Sequence, residues 1–244
     1  MQKRPLKELI NVVDPAWPLV QEWVATARNR VEVLPADRRR GEEVLLHLQV
    51  TTRSPMGAIA LETGGILIDR GWLRFLGSGH ERMRGSLLTW NANGGMIESH
   101  LLKNAFIVAH DAVGGFFALN GGAFAGKLGT AFYFAPDTLK WEDTKKSYSD
   151  LLSWALSGDV GLFYQSMRWP DWENDISSLS GDRGISIFPF LFTEKGIPVS
   201  ERSRRSVPLD ELWRLHLDLA PLLRDLPVGT PIRFHIVEDL ENND

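Results

Sequence analysis

The chain has 244 residues, with 27 basic and 31 acidic side chains and a formal net charge of −4. Its 43% hydrophobic and 24% charged residues are globular values that exclude a disordered, collagenous or fibrous protein, and the acidic balance speaks against non-specific nucleic-acid binding. The lack of cysteine excludes disulfide scaffolds, thiol nucleophiles and cysteine-ligated metal sites.

At this size about 70% of the unfolded surface can be buried, enough for one substantial core. The expectation is a single domain over 1–244. No apolar run approaches the roughly 18 residues of a membrane span. Met1 to Pro5 is basic but is followed by Lys7, Glu8, Asn11 and Asp14 rather than an apolar stretch, so it does not read as a secretory signal, and a cytoplasmic location is expected.

Residues 6–29 read as helical, with Leu6, Leu9, Ile10 and Val13 at helix spacing. Asp14 and Pro15 suit the cap and first position of a second helix that buries Trp17, Val20, Val24 and Ala27. A charged turn at 36–41 leads to a helix turning into strand around Val44 to Val50. Ala58 to Glu62, Gly65 to Asp69 and Trp72 to Leu76 are short apolar runs bounded by glycine, and are predicted as strands. Met83 to Trp90 reads as a helical turn, and Asn91 to Gly95 as a loop.

Ala105 to Ala109 and Phe116 to Asn120 form a predicted hairpin around Asp111 to Gly115, and a glycine-rich loop at 121–129 leads to a strand from Thr130 to Ala135. Ser149 and Asp150 are expected to cap a helix that buries Leu151, Leu152, Ala155 and Leu156 and closes at Gly158. Ile185 to Phe188 is a short strand, Ser200 to Ser206 an exposed loop, and Pro208 to Leu223 an amphipathic helix. A last strand is expected over 231–237, before an acidic tail. The order of elements predicts an α+β fold, with a mixed or mainly antiparallel central sheet and helices packed on one face.

No intact catalytic or cofactor motif stands out. Gly121 to Leu128 satisfies G-x-x-x-x-G-K, but it has Leu128 where magnesium needs a hydroxyl and a strand where the phosphates need a helix N-terminus. Gly77 to Arg82 begins like a dinucleotide fingerprint and ends in arginine. The six histidines have no H-x-x-x-H pair, so no metal is expected, and nothing implies a cofactor. His110 and Asp111 are adjacent, and successive strand residues face opposite ways, which works against an acid/base pair. Even so, His110, Asp111 and Lys127 beside the glycine loop are the candidate ligand pocket, because glycine lets backbone approach a ligand closely. Trp169-Pro170-Asp171-Trp172 is a turn sequence whose indoles are candidate interface anchors, including for a homodimer.

The block from 105 to 157 carries a resemblance. An apolar strand, Asp111, Gly114-Gly115-Phe116-Phe117-Ala118-Leu119, an aspartate turn and Ser147-Tyr148 before Leu151-Leu152 resemble the SUKH superfamily of bacterial immunity proteins, and Thr63-Gly64-Gly65 looks like its asparagine-glycine-glycine turn. The likeness covers residues 30–157, leaving 158–244 as a helical and strand extension. The whole chain, notably Gly65 to Gly79, is more closely similar to an uncharacterised bacterial family of the same length. The resemblance implies a SUKH-like α+β core and a non-enzymatic, protein-binding role, such as immunity to a toxin. The acidic balance suits a basic partner. No nucleic acid and no membrane is expected among the partners. The alternative is a small-ligand binder or enzyme with its cleft near His110, Asp111 and the Gly121–Lys127 loop.

Overall fold

The computed structural model describes residues 3–11, 13–91, 102–193, 197–227 and 229–232. Two short helices, α1 (Leu6–Leu9) and α2 (Trp17–Ala25), open the chain. The second starts two residues later than Asp14 and Pro15 suggest, with Ala16 as cap and Pro18 in the first turn. Strand β1 (Val31–Pro35) follows, then α3 (Arg38–Leu48), whose first turn is capped by the Asp37 side chain accepting from the Arg40 amide at 3.1 Å. The charged turn and the strand expected near Val50 are therefore both helix or its immediate end.

Helix α4 (Pro55–Glu62) occupies the first of the three runs predicted as strands. Ser54 caps it, accepting from the Gly57 amide at 3.1 Å, and Pro55 stands at its first position. Gly57 to Leu61 are all buried, so the segment has no polar face to reveal a helical period. The other two runs are strands, β2 (Thr63–Ile68) and β3 (Leu73–Leu76).

After them come β4 (Ala105–Asp111), β5 (Phe116–Asn120), β6 (Ala131–Ala135) and β7 (Lys140–Lys146). The loop expected at Asn91 to Gly95 lies mostly outside the described residues. The seven strands pair antiparallel in chain order, a simple meander. This gives the mainly antiparallel sheet of an α+β protein.

The register fixes two rows of side chains across the sheet. One runs Val33, Ile66, Phe75, Ala109, Phe117, Tyr133 and Glu142. The other, on the opposite face, runs Glu32, Leu67, Arg74, His110, Phe116, Phe134 and Trp141. Helix α5 (Tyr148–Ser157) covers the first face, with Tyr148 edge-on to Phe75 at 6.1 Å. It begins with a capping box, Ser147 and Asp150, two residues before the expected cap, and ends at Gly158 as expected. Two short helices follow, α6 (Val160–Tyr164), capped by Asp159, and α7 (Trp172–Ser177).

The second face is covered from the C-terminal side. Strands β8 (Arg183–Phe188) and β9 (Ser203–Pro208) form a separate hairpin, and α8 (Leu209–Leu223) packs Trp213 against Phe116 at 4.3 Å. Helices and hairpin therefore lie on both faces, where helices on one were expected. The serine- and arginine-rich segment expected as a loop is β9. Ser203, Arg204 and Arg205 are exposed, whereas Ser206 to Pro208 are half-buried. The strand expected over 231–237 falls almost wholly outside the described residues.

The turn between β4 and β5 is tightly closed. A Cβ on Gly115 would stand 2.1 Å from Asp111 Oδ2 and 2.3 Å from the Tyr133 hydroxyl. Gly115→Ala is expected to destabilise the protein by at least about 3 kcal/mol, the upper range of overpacking. Tyr133→Phe, which leaves one Asp111 oxygen short of a donor, should cost about 1–3 kcal/mol. Urea denaturation of both variants, read by tryptophan fluorescence, checks the order; equal stability of Gly115→Ala and the parent protein contradicts it.

Candidate functional site

His110 and Asp111 end β4 and point to opposite faces of the sheet. His110 is 1% exposed and sits 5.9 Å from both the Trp90 and the Phe116 ring, and among the described residues neither of its nitrogens has a hydrogen-bond partner. Burial, together with the nearby Arg74 guanidinium, holds its pKa well below the usual histidine value. It is a neutral aromatic packing residue.

Asp111 is fully buried and accepts three hydrogen bonds: from the Val113 amide at 3.0 Å, the Gly115 amide at 2.8 Å and the Tyr133 hydroxyl at 2.7 Å. Burial raises its pKa, and these donors oppose the rise. Arg74, in the same sheet row as His110, is 1% exposed and donates to the carbonyls of Gly71, Gly181 and Arg183 at 2.7, 2.9 and 2.7 Å. Burial lowers its pKa to about 10, so it stays charged at neutral pH.

Lys127 is exposed, at the other end of β5. Four strand steps from Phe116, paired with His110, to Asn120 span roughly 13 Å. The pocket expected from His110, Asp111 and Lys127 is therefore not assembled. The glycine loop is instead organised by the Asn120 side chain, which accepts from the Gly122 and Phe124 amides at 2.9 and 3.1 Å and donates to the Phe124 carbonyl at 3.0 Å. Phe124 stacks on Phe132 at 4.7 Å, and the chain runs directly into β6, so no helix N-terminus follows the loop.

The two candidate interface tryptophans turn inward. Asp171, at φ 62°, reverses the chain between them. Trp169 is 3% exposed and donates through Nε1 to Asp175 at 2.7 Å, and Trp172 is half-buried, edge-on to Trp72 at 5.1 Å. The Arg168 guanidinium lies 4.0 Å over Trp172 and 4.8 Å over Trp72 and pairs with Asp69. These indoles hold the α6–α7 segment to the β2–β3 turn, so Trp169 is withdrawn as an anchor and Trp172 is largely occupied. Among the described residues no group of three or more metal-ligating side chains converges, and no helix is long and apolar enough to cross a membrane.

An open groove lies where sequence reasoning did not look, between the β7 edge and helices α5 and α6. Its volume is about 220 Å³. Phe117 and Tyr133 form the floor, Trp154 and Phe163 the wall, and Glu142, Asp143, Thr144 and Lys146 the rim. Phe163 packs edge-on to Trp154 at 5.1 Å and to Tyr133 at 5.2 Å, yet keeps 39% of its surface exposed; the adjacent Leu162 keeps 58%. The sequence signal was Leu162-Phe163, two large apolar residues just after the Gly158-Asp159 helix break.

These features define an α+β protein: a seven-strand meander, covered on both faces, with an aromatic groove at one edge. The chain belongs to the family described as "Protein of unknown function DUF2625", which matches residues 6–212. It is 40% identical over 216 residues to the "Putative uncharacterized protein YbfG" of Escherichia coli K12, covering 88% of this chain and 97% of that protein. An "Uncharacterized protein" of Haemophilus influenzae is 37% identical over 205 residues, covering 84% of this chain and 90% of that one. Both relatives are bacterial. No solved structure matches the chain.

The buried histidines make stability depend on pH. His216 on α8 donates from Nδ1 to the Gly114 carbonyl at 3.2 Å, and burial lowers its pKa to about 4 from an ordinary 6.5. Between these values the unfolded chain binds the proton and the folded chain does not, so stability falls as pH falls. From pH 7 to pH 5 this one group is expected to remove roughly 2 kcal/mol. His110 adds to the loss, whereas Asp111, with its raised pKa, works in the opposite sense. Denaturant unfolding at both pH values should show a slope that His216→Gln, still able to donate, reduces by about that amount; an unchanged slope contradicts it. His110→Phe should leave the melting temperature equal or higher, since the imidazole nitrogens satisfy no partner among the described residues.

Proposed function

We propose that the protein is a recognition module that acts by binding another protein, and that the groove between β7, α5 and α6 is its binding site. The observation that carries this reading is the exposed Phe163 lining an aromatic-floored groove, with the exposed Leu162 next to it in sequence. A protein anchor in such a groove buries apolar area at the centre and keeps a polar rim, the usual anatomy of an interface hot spot. The occupant is an apolar or aromatic side chain flanked by a basic residue. On the rim Asp143 is paired with Lys145 at 2.6 Å, which leaves Glu142 as the carboxylate that meets a basic residue, and the whole chain carries a net charge of −4. A role as a bacterial immunity protein, which the likeness to the SUKH superfamily implies, is one form of this reading, with a basic toxin as partner.

Support also comes from the residues that sequence reasoning singled out for chemistry. His110 is walled between aromatic rings, Asp111 is engaged by three donors, and Lys127 lies at the far end of the strand. The small-ligand alternative built on them loses its geometric basis.

Site-specific photo-crosslinking in the native bacterial host tests the proposal. A crosslinking residue at position 163 is expected to trap one protein partner, and Trp154→Ala should weaken that capture by about tenfold, a loss of roughly 1.4 kcal/mol. A crosslinker at Leu128, exposed on the glycine loop, should trap nothing in common with it. Capture that is independent of Trp154, or the same products from both positions, would exclude the groove as the binding site.

A further inference from the structure

We infer a second, separate site: a cleft at the opposite edge of the sheet that binds a small phosphorylated anion through Arg30, Arg70 and Arg82. Those side chains come from three segments, the lead into β1, the β2–β3 turn and the stretch after β3, and they line one cleft of about 160 Å³. Leu67 and the bare backbone of Gly71 provide its base. That volume holds a phosphate group with a small organic substituent.

The charge balance favours an added anion. Glu32, the one carboxylate lining the cleft, is gripped by Arg82 through both oxygens. Its pKa is held below the ordinary value by that hydrogen bond first, with the charge of Arg30 contributing. Arg70 pairs with Glu173 at 2.7 Å, outside the lining. Arg30 makes no salt bridge among the described residues. One guanidinium is thus left over in a setting that already stabilises an oxyanion, and guanidinium forks match phosphate oxygens.

The backbone supplies an independent observation. Asp69 and Arg70 both adopt left-handed conformations, φ 51° and 59°, before Gly71 at φ 87°. Tight hairpin turns of this kind favour asparagine and glycine, because a Cβ is disfavoured there. An arginine held in this conformation carries its guanidinium out past the turn to the cleft. At Gly71 no atom lies within 4 Å of where a Cβ would stand, so its backbone faces open space in the cleft wall.

The site does not rest on the protein-binding reading, since the groove lies at β7 and the cleft at β1. The test is a titration of the isotopically labelled full chain with inorganic phosphate, followed by amide shifts, with sodium chloride at matched ionic strength as reference. Phosphate is expected to give saturable shifts at Leu67, Gly71 and Ser177 that chloride does not. Arg30→Gln and Arg82→Gln should each weaken the response by about tenfold. Arg53→Gln, an exposed arginine paired with Asp14 elsewhere, should leave it unchanged, as should the groove variant Trp154→Ala. No saturable shift at those amides, equal shifts with chloride, or indifference to both cleft variants overturns the inference. None of these results bears on the crosslinking test.

Discussion

Burying the carboxyl group of Asp111 constrains most of the molecule. A carboxyl without solvent needs donors on every side, and three are provided by two backbone amides and a phenol. The two amides come from the turn that follows, so the chain must curl tightly over the side chain. That curl permits no Cβ at residue 115 and requires a positive φ, 85°, at Gly114. Three further polar groups of the same turn are taken by neighbours. The Ala112 amide donates to the Trp72 carbonyl at 2.8 Å, and the Ala112 carbonyl accepts from the Ile185 amide at 2.7 Å. The Gly114 carbonyl accepts from His216. One carboxyl group thereby registers β6, the β2–β3 turn, the β8–β9 hairpin and α8 against one another.

Arg74 performs the complementary task one strand away. Its guanidinium ties the Gly71 carbonyl, in the β2–β3 turn, to the Gly181 and Arg183 carbonyls where β8 begins. Asp111 is among the charges that keep it protonated against the cost of burial. Arg74 and the turn that Asp111 organises therefore both attach the C-terminal hairpin to the meander. This explains why the segment after α5 packs as part of the same core although little in its own sequence announces that. It also explains why the residues most suggestive of chemistry are unavailable for it: they are consumed in joining layers.

Much of the architecture was legible because glycine-bounded apolar runs mark the β4–β5–β6 strands directly. The Asp111-x-x-Gly114-Gly115 spacing was visible too, but its meaning depends on Tyr133, 22 residues further on, whose hydroxyl completes the site. The elements that the sequence reading misassigned or passed over fail for opposite reasons. Helix α4 is buried all round and so shows no period, whereas β7, with Lys140, Glu142, Lys145 and Lys146, and β9, with Arg204 and Arg205, are too polar to look like strands. The tryptophan turn misled because Pro170-Asp171 does mark a surface turn, but left-handed Asp171 folds both flanking indoles under it. The groove was illegible because its floor and wall come from β5, β6, α5 and α6, and only tertiary packing brings them together.

The edge on which the groove opens also limits how a partner can use it. An unpaired edge strand normally invites another strand to add to the sheet. On β7 the pairing with β6 shifts register between Ala131 and Phe132, and Lys145 takes a left-handed conformation at φ 59°. A bulge and lysines at Lys140, Lys145 and Lys146 are the devices that discourage strand addition. The same bulge carries Asp143, paired with Lys145 at 2.6 Å, to the rim. Backbone pairing along this edge is thus opposed while access from above remains open. An occupant of the proposed site would enter as a side chain beside the packed Trp154–Phe163 wall, and its affinity would then depend on how well one anchor fills the aromatic floor.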